Sequence, residues 1–257
     1  MQWITLFQKE TKENWHNKKW VWVPIVFTMI TIMDPITNYY LPEIINMAGG
    51  LPDGTVFELP TLAPEEVIMM SIEQLSMFGV LIIALMSMGI IAAERNSGVT
   101  EIILVKPIRY RNYITAKWTT LLLLVWLSLF VGMFLSWYYT NLLFGDISFL
   151  MLLQIIFFYG LWLTFVLTVS VFFNTMFKIP GLVAACTILT VIFMSIINMI
   201  FGHKLTWFPN QLSAHIQELV ITNTVSKELI GTSIITLSLT IIILFAAIVL
   251  FQRKEIF

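Results

Sequence analysis

Six long apolar runs alternate with short polar segments along the 257 residues. They extend from Trp20 to about Tyr40, Val67 to Ala93, Trp118 to Phe144, Phe149 to Phe173, Ile179 to Phe201 and Leu229 to Phe251. A hydrocarbon core of about 30 Å takes roughly 20 apolar residues in helical form, and each run meets that length. The runs are apolar on every side, unlike the striped helices of a soluble surface. None alternates as a barrel strand would. The pattern predicts an all-α polytopic membrane protein with six transmembrane helices, residues 1–257 forming a single transmembrane domain. Pro180 falls in the first turn of the fifth run, where a missing N–H costs little. Asp34-Pro35 falls inside the first run, and proline there predicts a bend or an end to the helix. Asp34 is then either a polar wedge near an outward gate or a residue of the wet interface. Glu73, in the second run, carries the same two readings.

Composition narrows the class further. Hydrophobic residues make up 58% and charged residues 11%, against about 45–50% and about 25% in soluble domains. A net charge of −1 gives no case for nucleic acid, and the single cysteine, Cys186, excludes a disulfide framework. The basic residues decide orientation. Lys9, Lys12, Lys18, Lys19, Arg95, Lys106, Arg109, Arg111, Lys117, Lys178, Arg253 and Lys254 fall on one side of the predicted topology. Only Lys204 and Lys227 fall on the other. Both termini are therefore expected in the cytoplasm.

Two polar segments have structure of their own. Residues 1–19 read as an interfacial helix, with Trp3 and Phe7 on one face and Lys9, Lys12 and Glu13 largely elsewhere. Residues 202–228 are too polar to span. Leu212, Ile216, Leu219 and Val220 nevertheless share a helical face, and Pro209-Asn210 forms a turn with Asn210 capping the returning helix. This predicts a membrane-dipping helix pair on the external side. His203 and His215 lie there and read as interfacial groups.

Catalytic chemistry has no residues to carry it. There is no Gly-x-x-x-x-Gly-Lys-Ser/Thr and no His-Glu-x-x-His. Glu65-Glu66 suit the acidic first turn of the second span better than a paired acid. No catalytic residue, metal ligand or resident cofactor is assigned. Few ionisable residues lie within the spans, which weighs against an ion-coupled carrier.

The longest segment on the basic side, 94–112, holds the distinctive pattern. Asn96 or Ser97 can cap a short helix over Thr100 to Val105, with Ile103 and Leu104 as its apolar side, and Pro107 stops it. Such a helix cannot bury its apolar side alone and fits a groove on a partner. Glu94-Arg95-x-Ser97-Gly98-x-x-Glu101, then Lys106-Pro107-Ile108-x-x-Arg111, then Tyr113-x-x-x-Lys117 resembles the coupling segment of type-2 ATP-binding-cassette (ABC) permeases. The resemblance extends over the whole chain. Gly98-Val99-Thr100 stands where Gly-Thr is usual, and Arg109-Tyr110-Arg111 where Ser/Thr-Arg is usual. Asp34-Pro35 and Tyr40-Leu41-Pro42-Glu43-Ile44 resemble a Firmicute subset that includes self-protection and peptide-export systems, among them exporters of phenol-soluble modulins.

The resemblance implies a bacterial cell-membrane permease without nucleotide site of its own, ATP and Mg being held by a separate ATPase subunit. Glu94, Arg95, Ser97, Gly98, Thr100, Glu101, Leu104 and Pro107 would contact that subunit. A second permease, identical or different, would pair through the fifth span, where Gly181 and Ala185 permit close approach. Trp207, Phe208 and Leu212 would close the outer end of the path. The expected passenger is amphipathic or hydrophobic, with a peptide toxin or antimicrobial peptide first. A non-transporting sensor or immunity protein, or a lipid, drug or sodium exporter, are the alternatives on the same fold.

Overall fold

The computed structural model describes residues 2–47, 62–99 and 108–254, and these are mostly helical, with short turns between the helices and no strand among them. Six stretches are long and apolar enough to cross a membrane: Lys19–Ile45, Pro64–Asn96, Tyr110–Leu143, Phe149–Met176, Pro180–Phe201 and Lys227–Arg253. In chain order the elements are α1 (Gln2–His16), α2 (Lys19–Met47), α3 (Pro64–Gln74), a π-helical turn (Leu75–Gly79), α4 (Val80–Ser87) and α5 (Ala92–Asn96). There follow α6 (Tyr110–Leu143), α7 (Phe149–Met176), α8 (Pro180–Phe201), a 3-10 turn (Pro209–Gln211), α9 (Leu212–Thr222) and α10 (Lys227–Lys254). The third span begins eight residues before the apolar run does, because hydropathy marks only the part of the helix inside the hydrocarbon.

Of the two expectations for Pro35, a bend or an end, the first span excludes the end. Helix α2 continues through Pro24, Pro35 and Pro42 to Met47, so Asp34 sits within the helix. The reason is polar satisfaction. Inside a bilayer the backbone must find its partners within the protein, and proline is tolerated where a neighbour supplies the missing bond. Pro35 has no N–H to give to the Thr31 carbonyl one turn back. The Ser71 hydroxyl on α3 donates to that carbonyl instead, at 2.8 Å, while Ser136 on α6 lies 2.8 Å from Ser71 Oγ. Thr31 Oγ1 in turn donates to the Gly132 carbonyl on α6 at 2.9 Å. A side chain at Gly132 would meet Thr31 Oγ1 at 3.1 Å and the Phe27 backbone at 3.3 Å. That close approach is what brings α2 and α6 together.

The second span is broken near the basic end, between α4 and α5. Asn174 on α7 repairs the break with its whole side-chain amide. Its Oδ1 accepts from Ile91 N at 3.2 Å and Ala92 N at 3.1 Å. Its Nδ2 donates to Ser87 O at 2.9 Å and Ser170 O at 3.0 Å. Ser87 and Ser170 also share a hydrogen bond of 2.7 Å. Helix α7 is the axis of the bundle, packed against α4, α6, α8, α9 and α10. Its most apolar stretch is 67% buried, against 22% in α8 and in α10. Glu65 and Glu66 stand in the first turn of α3, where the helix dipole favours them.

The segment after α8 holds one helix, α9, preceded by a single 3-10 turn, where a helix pair was expected. Leu212, Ile216, Leu219 and Val220 are all buried, as their spacing requires. Asn210 does not cap the helix. Gln211 is its N-cap, and Asn210 Nδ2 donates to Ser195 Oγ on α8 at 3.2 Å. At the far end Asn223 adopts φ 55°, the left-handed residue that ends the helix.

Candidate functional site at the basic end

Helix α1 presents Trp3, Phe7, Glu10 and Asn14 to α6, a stripe that starts apolar and ends polar. Trp3 and Phe7 stack with centroids 5.3 Å apart, and Trp3 Nε1 donates to Thr115 Oγ1 at 3.1 Å. Glu10 and Asn14 are buried, while Ile4 and Trp15 face outward. The burial of Glu10 has a reason. Lys117, two turns into α6 and immediately before the third apolar run, is only 1% exposed and donates to Glu10 Oε1 at 2.9 Å and to Glu94 Oε1 at 2.8 Å. Its ammonium also lies 5.1 Å from the Tyr113 ring centroid.

Glu94 is the meeting point. Its Oε1 accepts from Lys117 and, at 3.0 Å, from Lys9, while Oε2 accepts from the Tyr113 hydroxyl. Lys9 Nζ further reaches Glu10 at 2.9 Å and Glu13 at 2.8 Å. The carboxylate oxygens of Glu10, Glu13 and Glu94 lie within 4.8 Å of one another, a spacing that could hold a metal ion. The Lys9 ammonium is the cation that reaches all three. Burial works to lower the Lys9 pKa, but the Glu13, Glu10 and Glu94 carboxylates outweigh it and hold it above the ordinary lysine value. Beside this cluster lies a cavity of about 590 Å³, lined by Asn14, Asn17, Lys19, Gly89 and Ser97 among others.

A buried ion-pair network of this kind gains little net energy from its attraction, because desolvation offsets it. Removing one partner is what costs, since the remaining charge is left uncompensated. The cluster therefore acts as a specific joint between α1, the end of α5 and the start of α6.

The expected contact residues divide. Glu94 faces the chain's own lysines and tyrosine. Arg95 is likewise engaged inside the chain: Nη1 donates to the Thr175 carbonyl at 3.0 Å, and the guanidinium lies 5.7 Å from the Phe251 ring centroid. Phe251 also stacks on Tyr113 at 5.5 Å, which brings the end of α10 to the same place. Ser97 is the C-cap of α5 and its hydroxyl donates back to Glu94 O at 3.2 Å. Gly98 adopts φ +74°, a conformation that favours glycine, with open space around it. Thr100, Glu101, Leu104 and Pro107, and with them the short helix that Asn96 or Ser97 was expected to cap, lie outside the described residues. Glu10 and Asn174 were missed by the sequence reading, and Tyr113 and Lys117 entered it only as part of the motif and, for Lys117, as a basic charge. No local pattern could pair Lys117 with its partners, which are 107 and 23 residues away.

At the opposite end Leu212 is buried, Phe208 half-buried and Trp207 48% exposed. The backbone there is tied down by Thr206 O, which receives Thr232 Oγ1 at 3.0 Å and lies 2.9 Å from His215 Nε2. Gly181 and Ala185 are exposed on α8, and nothing in the chain lies within 4 Å of a side chain placed at Gly181.

The fold and this joint define a multi-pass helical membrane protein whose connection between the second and third spans is anchored at its start to α1 and α6. The chain belongs to the ABC-2 family of transporter proteins, whose family model matches residues 4–256. It is also similar to an uncharacterized transmembrane protein of Bacillus subtilis (strain 168), YxlG, at 32% identity over 218 residues, covering 85% of this chain and 84% of that one. The family comprises membrane subunits, not nucleotide-binding domains, and its members typically work with an ATPase subunit.

Proposed function

We propose that the chain is the permease subunit of an ATP-driven exporter in a bacterial cell membrane, with both termini cytoplasmic. A separate ABC ATPase docks on residues 94–107, and ATP and Mg remain on that subunit. The observation that carries this reading is the Glu94 joint. Glu94 stands at the base of the connection and is bonded to α1 through Lys9, and to α6 through Lys117 and Tyr113. A displacement of the connection by the ATPase is therefore passed to the first three spans together. Two permeases pair along α8, whose outward Gly181 and Ala185 allow close approach. The Trp207, Phe208 and Leu212 segment closes the outer end, and the passenger is amphipathic, with a peptide toxin or antimicrobial peptide as first choice.

The experiment is co-purification of the ATPase with the full chain. Leu104→Asp should weaken docking by about tenfold to a hundredfold, the equivalent of one apolar side chain lost from a groove. Unchanged association and coupled turnover in that variant would overturn the reading. Cysteines at Asp53 and Asn210 should label from outside and at Asn112 only from inside; the reverse pattern would overturn the orientation.

A further inference from the structure

The cavity of about 590 Å³ at the basic end is lined by polar groups that the Glu94 joint does not use. Asn14 is the clearest of them. It is only 5% exposed, lines the cavity and makes no side-chain hydrogen bond among the described residues. A buried amide is costly unless something bonds it, and nearly all such groups find a partner in protein, water or ligand. Glu10, one turn earlier on the same helix, is equally buried but engaged by Lys9 and Lys117.

Lys19 is the second unused group. It is half-buried at the start of α2 and lines the same cavity. Its ammonium donates to the Met86 carbonyl at 2.9 Å and enters no ion pair among the described residues. An ammonium has three donors, so two remain. The other lysines of the lining, Lys9 and Lys117, are shared among Glu10, Glu13 and Glu94. That network holds one carboxylate more than it holds cations. Glu13 is its member with capacity to spare, being exposed and bonded to Lys9 through Oε2. The lining thus combines a lone cation with a network in carboxylate excess.

The depth of the cavity narrows the ligand. Lys19 opens the first span, Glu94 lies in the last turn of the second, and Lys117 immediately precedes the third apolar run. This is the level of the headgroup layer, where Trp15, 64% exposed on α1, also belongs. We propose that the cavity binds the headgroup of an aminophospholipid, with its phosphate on the free donors of Lys19 and Asn14 and its primary ammonium on the Glu13 carboxylate. An anionic headgroup satisfies Lys19 but not the surplus carboxylate. A quaternary ammonium has no hydrogen to donate to Glu13. Gly89 and Ile90, in the break of the second span, line the same cavity, so a bound headgroup ties α1 and the start of α2 to that break. The proposal stands apart from the exporter reading.

The test is native mass spectrometry of the full chain in detergent, titrated with phosphatidylethanolamine, phosphatidylcholine or phosphatidylglycerol of matched acyl chains. The first phosphatidylethanolamine should bind about tenfold more tightly than either other lipid. Asn14→Leu and Lys19→Gln should each reduce it to the phosphatidylcholine level. Glu13→Gln should remove its advantage over phosphatidylglycerol; Glu13 is exposed, so this variant decides the matter even if the buried ones fail to fold. Lys12→Gln, an exposed change on α1 outside the lining, should alter nothing. Equal affinity for the three lipids, or a preference that survives Asn14→Leu and Glu13→Gln, overturns the proposal. Binding of soluble phosphoethanolamine with none of the lipid overturns the bilayer as the source. The measurement needs no ATPase, so its failure leaves the docking proposal intact.

Discussion

Carboxylates occur inside the helical bundle at both of its ends, and they are treated in opposite ways. At the basic end Glu94 receives three donors, and Glu10 shares two lysines with it. At the other end Asp34 keeps one oxygen buried without a partner, and Glu73 is in no ion pair among the described residues. Closed charge networks position parts, because every proton and lone pair already has a geometry. An open charge leaves a preference to be satisfied by something that arrives. The same residue types therefore serve as a joint in one place and stay without an ion pair in the other.

The largest expected effect is at the joint. Lys117→Met should destabilise the chain by about 3–5 kcal/mol, because Glu10 and Glu94 are left facing each other in a buried site. Thermal unfolding in detergent measures it, and a triple variant with Glu10→Gln and Glu94→Gln should recover most of the loss. Failure of that recovery would mean that Lys117 acts by packing alone. Asn174→Leu comes next, at about 2–3 kcal/mol, since it strands the Ile91 and Ala92 N–H groups and takes a donor from the Ser87 carbonyl at the break in the second span.

Ser71→Ala should cost about 1 kcal/mol, the typical scale for a polar contact between spans. The cost should shrink in a Pro35→Ala background, where the helix can again supply the Thr31 carbonyl. A double-mutant cycle reads that coupling directly. At the open end the sign reverses: Asp34→Asn should leave the unfolding temperature unchanged or raise it, and a clear fall would show that Asp34 has a structural partner.

The smallest effect is a pH dependence. The Lys9 pKa is raised in the folded chain, so its stabilising contribution is complete below the ordinary lysine value and fades as pH rises through the folded one. Below about pH 10, Lys9 should contribute no pH dependence of its own to α1 docking. Above it, protection of α1 in hydrogen exchange should decline in the native chain and less so in Lys9→Met.

Much of the architecture was legible in the sequence because bilayer length is a strict filter. The six runs, the buried face Leu212–Ile216–Leu219–Val220 and the acidic first turn of α3 all follow from local spacing. What local spacing could not reach was any bond between distant residues. Pro35 read as a helix end because Ser71, its remedy, is 36 positions away. Asn210 read as a cap because nothing in the sequence places it beside Ser195. Of the candidate site, Glu94 was found through its motif. Glu10 and Lys117 looked like ordinary flanking charges until the fold brought them together.

The Asn174 amide bears on how the second span can move. A kink made by proline belongs to its own helix and swings with it. This one is held by a pin mounted on a different part, the central α7, with sockets on both sides of the gap. Helices α4 and α5 can change their mutual angle only by turning about that pin or by leaving it. The break is thus a captive hinge: its position along the span is set by the axle of the bundle, and its travel is limited to what three hydrogen bonds to one side chain allow.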